Sequence, residues 1–279
     1  MKRIVWLASY PKSGNTWFRA FLANLLCERD EPVNINNLHT GNIASARGPL
    51  DAALGYDSTN LTHDEIDLLR PELYLRQAQL SESTLYLKVH DAYLSAPNGR
   101  PLFPPEATKG IIYLVRNPID VCVSFARHSG RSDYGKFVKV LGNPSNAIAA
   151  RPGRLHEQLR QRTLSWSGHV MSWIDAVDQN VHIVRYEDMK LKTEETFTKA
   201  AVFADLPSQP EKIRKAIEFS SFEVLREQER KFGFREKLHA NEAFFRQGAI
   251  GGGMASLSLE QIEQICFDHK EVMQRLGYL

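Results

Sequence analysis

Four apolar runs, at residues 3–9, 84–89, 110–116 and 181–187, stand out from a mixed polar background. In 3–9 and 110–116 the apolar positions are consecutive rather than alternating, the pattern of strands covered on both faces in a parallel sheet. The segments between them carry apolar residues three and four apart. That spacing predicts helices over 15–28, 118–128, 155–178, 192–204, 210–218 and 258–275. In 155–178 the stripe is Leu159, Leu164, Trp166, Val170, Trp173, Ile174 and Val177, read as core. Strands alternating with helices predict an α/β fold, with a parallel sheet flanked by helices on both faces.

Three stretches escape the alternation. Residues 32–71 are polar and broken, with a short helix predicted at 62–69. Residues 129–152 carry Gly130, Gly135, Gly142, Pro144 and Pro152, and residues 228–256 are basic, then aromatic, then glycine-rich. Long irregular segments in an α/β domain usually serve as binding loops or lids. The chain therefore reads as one domain over 1–279, with acceptor or lid loops at 32–71, 129–152 and 228–256, the last ordering when a ligand binds.

A length of 279 residues with 43% hydrophobic content is enough for one sizeable core. The net charge of +2 gives no ground for wholesale nucleic-acid binding. Cys27, Cys122 and Cys266 match no metal or redox spacing, and no paired carboxylates or His/Cys cluster call for a metal. The chain opens on a strand without a basic-then-apolar leader, and no apolar stretch approaches ~18 residues. A cytoplasmic protein with no membrane span is expected, and the oligomeric state is left open.

The candidate chemistry sits where strands end. Residues 9–17 read Ser-Tyr-Pro-Lys-Ser-Gly-Asn-Thr-Trp, between the first strand and the first helix. A helix start offers backbone N–H groups without internal partners and the positive end of its dipole. Lys12 adds a full charge, and Ser13, Asn15 and Thr16 add donors, a set suited to a phosphate-like group. It is not the common nucleotide loop, in which lysine follows the second glycine. Arg116 ends the third apolar run, followed by Asn117, Pro118 and Asp120, with Ser124 on the next helix. That is the edge at which open α/β sheets bind ligands, and an arginine fork grips phosphate with two bonds. Two plainer readings remain beside these: an ordinary turn with an exposed lysine, and a strand-end arginine paired with Asp120.

These segments resemble the sulfotransferases that use 3′-phosphoadenosine-5′-phosphosulfate (PAPS). Tyr10-Pro11-Lys12-Ser13-Gly14-Asn15-Thr16-Trp17 is similar to the family's 5′-phosphosulfate loop. Arg116-Asn117-Pro118 with Asp120 and Ser124 is similar to its 3′-phosphate motif. Lys88-Val89-His90 falls where the family carries its general base. Arg185-Tyr186-Glu187-Asp188 and Phe244-Phe245-Arg246-Gln247-Gly248 with Gly251-Gly252-Gly253 complete the set, in the family's order. The resemblance covers most of the chain and is nearer the short bacterial members. It implies the P-loop-NTPase-like sulfotransferase fold and transfer of a sulfuryl group to a hydroxyl of a small or medium acceptor, releasing adenosine 3′,5′-bisphosphate (PAP).

The resemblance also implies roles. Lys12 is the cation at the leaving oxygen and His90 the base, with Lys88 beside it as a further catalytic residue. Asp91 either orients His90 or replaces it. Ser13, Gly14, Asn15 and Thr16 cradle the 5′ end of the cofactor, and Trp17 stacks on adenine. Arg116 and Ser124 hold the 3′-phosphate, Tyr186 reaches the base, Ser220 and Phe222 lie on the adenine side, and Arg246, Gln247 and Gly248 form a second clamp. Gln247 replaces the family's usual lysine, and Gly251-Gly252-Gly253 replaces its Asp-Trp. Sulfuryl transfer, like phosphoryl transfer, needs a base, cations where charge develops, and rigid placement. A small-molecule kinase of P-loop type and a non-catalytic nucleotide-binding protein of the same fold are the competing readings.

Overall fold

The protein is described here from a computed structural model, which covers residues 3–38, 40, 42–151, 156–176, 179–237, 243–246 and 248–279. In chain order β1 (Ile4–Ser9) and α1 (Asn15–Leu26) come first, then β2 (Asn42–Ile43), α2 (Arg47–Leu54), α3 (His63–Leu80) and β3 (Leu85–Val89). Next are β4 (Thr108–Val115), α4 (Pro118–His128), α5 (Tyr134–Gly142), β5 (Ala147–Ile148), β6 (Gln161–Arg162) and α6 (Trp166–Ile174). The chain continues with β7 (Val181–Arg185), α7 (Tyr186–Leu191), α8 (Thr193–Phe203), α9 (Pro210–Phe219) and α10 (Phe222–Phe232). It closes with α11 (Leu259–Asp268) and α12 (Lys270–Arg275).

The main sheet runs in the order β2-β3-β1-β4-β7. β1 pairs with β3 in parallel, Ile4 opposite Leu85 and Ala8 opposite Val89, and β2 adds a parallel pairing to the outer side of β3. All six residues of β1 are buried, as its unbroken apolar run requires of a central strand. The chain forms two compact units. The first is Met1–Tyr10, Gly41–Tyr113 and Asn143–Ile183, and the second is Pro11–Thr40, Leu114–Gly142 and Val184–Leu279.

In the first unit, the Trp6 ring meets Tyr74 and Phe103 edge-on, at 5.1 and 4.9 Å, and its indole N–H donates to Thr108 Oγ1. Beside this core lies a charged one. Arg70 is fully buried and spreads its fork over both carboxylate oxygens of Asp91, at 3.1 and 2.7 Å. Its Nε–H donates to the Tyr74 hydroxyl, and Asp67 is the second carboxylate beside it. In the second unit, Phe18 and Phe21 of α1 pack on Phe197 of α8, and a further cluster joins Ala20, Ala23, Val33, Ile35, Leu225, Phe234 and Phe245.

Several expected elements differ. The helix predicted over 155–178 is α6 alone, Trp166–Ile174. Leu164 takes a left-handed φ of 57°, which no helix accepts, and the Ser165 hydroxyl caps α6 by accepting the Gly168 N–H. Upstream, Gln161–Arg162 pairs with β5 in antiparallel fashion, and Leu159 is buried while its N–H bonds the Ser45 carbonyl. Residue 155 and Val177 lie outside the described residues. The helix predicted at 62–69 continues through Pro71 to Leu80, opened by a capping box of Thr62 and Glu65. Its buried face, with Ile66, Arg70, Leu73 and Tyr74, outweighs the one hydrogen bond that proline removes.

Residues 32–71 also contain β2 and α2, residues 129–152 contain α5 and β5, and α10 runs into the start of 228–256. The strand expected to reach 187 stops at Arg185, so Tyr186 opens a helix, and the closing helix breaks at His269. Pro152 and residues 238–242 lie outside the described residues.

Because Arg70 is fully buried, Arg70→Leu leaves the buried Asp91 carboxylate without its cation, while Asp67 keeps Arg160. The expected loss is roughly 3–5 kcal/mol of unfolding free energy, read by urea titration. A loss under 1 kcal/mol would show that the pair contributes nothing to the fold.

Candidate active site

The second unit contains the turn between β1 and α1. Lys12 adopts φ 73°, a left-handed conformation uncommon for lysine, and Gly14 follows at φ 95° as the N-cap residue of α1. Glycine at the cap supplies no side chain to the first N–H groups of the helix, which leaves them for a ligand. Ser13 is fully buried and its hydroxyl has no partner among the described residues, a state that costs about 1–3 kcal/mol until something accepts or donates to it. Lys12 Nζ lies 4.0 Å from the centre of the Phe244 ring.

Tyr186 gathers the other parts. It is almost fully buried, and a Cβ built on Gly14 would stand 2.7 Å from its ring, so the turn can approach this closely only as glycine. The Arg116 guanidinium lies over the same ring at 4.3 Å, and Trp17 meets it edge-on at 6.0 Å. The Tyr186 hydroxyl donates to the Gly248 carbonyl at 3.0 Å, and burial raises its pKa, keeping the phenol a donor. Arg116 donates through Nη2 to the Ala249 carbonyl at 2.9 Å and lies 3.5 Å from Asp120, while its buried Nε has no partner among the described residues. The strand-end pairing with Asp120 and the anion-facing arginine are thus compatible.

The remaining expected residues take varied positions. Trp17 packs on Phe197, its buried indole N–H has no partner, and Lys190 Nζ stands 5.4 Å from its ring and 5.9 Å from Phe222. Phe222 opens α10 and meets the Phe245 ring edge-on. Ser124 is half-buried on α4, and Arg246 is exposed. Ser220 is fully buried and its hydroxyl bonds back to the Ala216 carbonyl at 2.7 Å, so it closes α9 rather than facing outward. Gln247 lies outside the described residues.

Lys88 and His90 belong to the first unit, both half-buried at the end of β3. His90 Nδ1 lies 2.8 Å from the Ser9 carbonyl, which can only accept. Nδ1 therefore carries a proton, and in the neutral ring Nε2 holds the lone pair. The His90 carbonyl accepts from Nε2 of His169 at 3.3 Å, and the Tyr113 hydroxyl donates to its other nitrogen at 2.8 Å. Asp91 points away into the Arg70 fork and also accepts the Arg162 N–H, so its carboxylate is engaged in the charged core.

Two carboxylates hold the site together, Glu187 from a motif that assigned it no role of its own and Glu229 from no motif. Glu187 accepts the Asn117 N–H and the Tyr278 hydroxyl, fixing the turn after β4. Buried Glu229 accepts the N–H groups of Phe244 and Phe245 at 2.7 and 2.9 Å. A carboxylate one residue after an aromatic at a strand end was the available signal for Glu187; Glu229, on an exposed-looking helix, carried none.

With this geometry in place, comparison with known proteins is direct. The sulfotransferase domain family matches residues 2–277. Sulfotransferase 2A1 of Rattus norvegicus is 26% identical, over 92% of this chain and 80% of its own length. Mouse sulfotransferase SULT7A1 complexed with PAP superposes with a TM-score of 0.64 at 16% identity, covering 98% of this chain and 84% of its own. Retinol dehydratase in complex with retinol and PAP gives 0.63 at 21% identity, covering 98% and 82%. The chain belongs to the sulfotransferase family and is an enzyme of that class, with its P-loop-NTPase-like fold, a central parallel sheet flanked by helices.

Burial holds the His169 pKa down, at about 3 against an ordinary value of 6.5, despite its bond to the His90 carbonyl. The unfolded chain therefore binds a proton that the folded chain refuses. Stability is full above about pH 6.5 and falls as pH drops towards 3, with roughly 2 kcal/mol lost between pH 7 and 5 through this residue. Urea unfolding at both pH values should show His169→Gln losing that much less than the parent. Equal losses would mean that His169 is already protonated when folded.

Proposed function

We propose that the chain moves the sulfuryl group of PAPS to a hydroxyl of a small or medium acceptor, with His90 as base. The single observation that supports this best lies in the second unit: the lysine turn and the strand-end arginine both rest on Tyr186. A nucleotide with anionic groups at its 5′ and 3′ ends matches those two cationic places. The donor set fits such a molecule, since buried Ser13 Oγ, Trp17 Nε1 and Arg116 Nε all lack partners among the described residues.

In this reading Ser13, Gly14, Asn15 and Thr16 hold the 5′ end through the start of α1, and Trp17 and Phe222 flank the adenine. Arg116, Ser124, Arg246 and Gly248 hold the 3′-phosphate, with Gln247 in the same segment. Tyr186 reaches the base side, and Ser220 supports it from the end of α9. PAPS supplies an activated sulfuryl group and departs as PAP. His90 accepts the acceptor's hydroxyl proton at Nε2, since its Nδ1–H is directed at the Ser9 carbonyl. Lys12 places a compact positive charge for the oxygen that becomes anionic, and Lys88 adds charge near the base. The Phe244 ring keeps the Lys12 ammonium partly desolvated without neutralising it.

Asp91 is not the base in this scheme, because Arg70 holds both of its oxygens. No metal enters it; among the described residues no three His, Cys, Asp or Glu are grouped to hold one. No helix among the described residues is long and apolar enough to cross a membrane. The retinol-bound neighbour supports an acceptor of modest size.

Lys12→Ala and His90→Ala should each cut turnover by at least about 100-fold, while Arg116→Ala should chiefly raise the KM for PAPS, by about tenfold or more. PAP should raise the melting temperature more than ADP does. Near-normal kcat in His90→Ala would remove the base assignment, and phosphorylated product from ATP with Mg²⁺ would favour the kinase reading.

A further inference from the structure

The glycine-rich segment after Gly248 is not loose in this structure. Asp120, on the first turn of α4, accepts the Gly251 N–H through one oxygen at 2.9 Å and the Gly253 N–H through the other at 2.7 Å. The same carboxylate lies 3.5 Å from Arg116 Nη2, which donates to the Ala249 carbonyl two residues before Gly251. Asp120 is only 4% exposed, so these bonds do not compete with water. At Gly253 the backbone comes so close to α4 that a Cβ would stand 2.5 Å from the Ile119 carbonyl oxygen. The contact is with backbone, which cannot swing aside.

From these contacts we infer that Asp120 is a positioning residue for the nucleotide's 3′-phosphate: it fixes the glycine segment against α4 and, through the same oxygens, aims the Arg116 guanidinium. The inference rests on the reading that Arg116 holds that phosphate. A carboxylate beside a phosphate site would ordinarily weaken it. Here the charge is met by Arg116 and by two backbone N–H groups, so little of it reaches the phosphate. What remains is direction. Arg116 is held on one side by Asp120 and on another by the Ala249 carbonyl, and the segment carrying that carbonyl is itself held by Asp120. Three consecutive glycines would otherwise sample many conformations. The ordering that a bulkier sequence would supply by packing comes instead from one buried carboxylate.

Calorimetric binding of PAP and of adenosine 5′-phosphate, which lacks the 3′-phosphate, tests this on the whole chain. In Asp120→Asn the amide accepts one N–H and presents its own hydrogens to the other. PAP should weaken by about tenfold or more, with adenosine 5′-phosphate within about twofold of the parent. In steady state the KM for PAPS should rise while kcat stays within about threefold. Gly253→Ala changes no charge and should reproduce the selective loss of PAP. The double variant should lose little more than either single one, because both release the same segment.

Tighter PAP binding in Asp120→Asn would mean that the charge acts only by repulsion. Equal losses for both nucleotides would mean a general loss of structure. Additive losses in the double variant would mean that the two residues act separately. Any of the three overturns the inference. Arg116→Ala separates it from its premise: if that variant binds PAP as the parent does, the phosphate assignment of Arg116 has failed, whatever Asp120 does.

Discussion

The site turns on one buried ring. Tyr186 lies where the strand β7 gives way to helix, and its face and edge receive the Gly14 turn, the Arg116 guanidinium and Trp17. Its hydroxyl holds the Gly248 carbonyl. Segments about sixty to a hundred and seventy residues away in sequence are thereby brought to one side chain. The ring demands glycine at 14, and glycine at the cap is what leaves the first N–H groups of α1 for an anion. Packing and binding are thus set by the same contact.

Around that ring the protein keeps its positive charge local. The net charge is only +2, and Asp120, Glu187 and Glu229 each accept backbone N–H groups. Buried carboxylates with such partners order the chain, and Lys12 lies against an aromatic face. In the first unit a similar economy holds: Arg70 absorbs Asp91, the Ser9 carbonyl sets the His90 tautomer, and neutral His169 fixes the His90 carbonyl.

Much of this was legible in the chain. Consecutive apolar residues marked β1 and β4, because a strand covered on both faces leaves little room for polar positions, whereas β3 and β7, mostly half-buried, were marked by shorter apolar runs. The turn at 10–17 and the Arg116 strand end were visible because their residue types have few other uses at such places. The failures share a cause. Leu159 and Leu164 matched a helical stripe, yet apolar spacing reports burial, and a buried extended segment satisfies it as well. Pro71 suggested an end to α3, but tertiary packing of Arg70 and Tyr74 overrode a local preference. Backbone-directed partners such as Glu229 left no trace, since a carboxylate bound to N–H groups reads in sequence like any surface acid.

The account stands most directly on a crystal structure grown with PAP. It predicts the 5′-phosphate on the N–H groups at the start of α1 beside Lys12 and Ser13, and the 3′-phosphate on Arg116, with Tyr186 still between the two segments. A nucleotide bound elsewhere, or held with its 3′-phosphate in solvent away from Arg116, would contradict it.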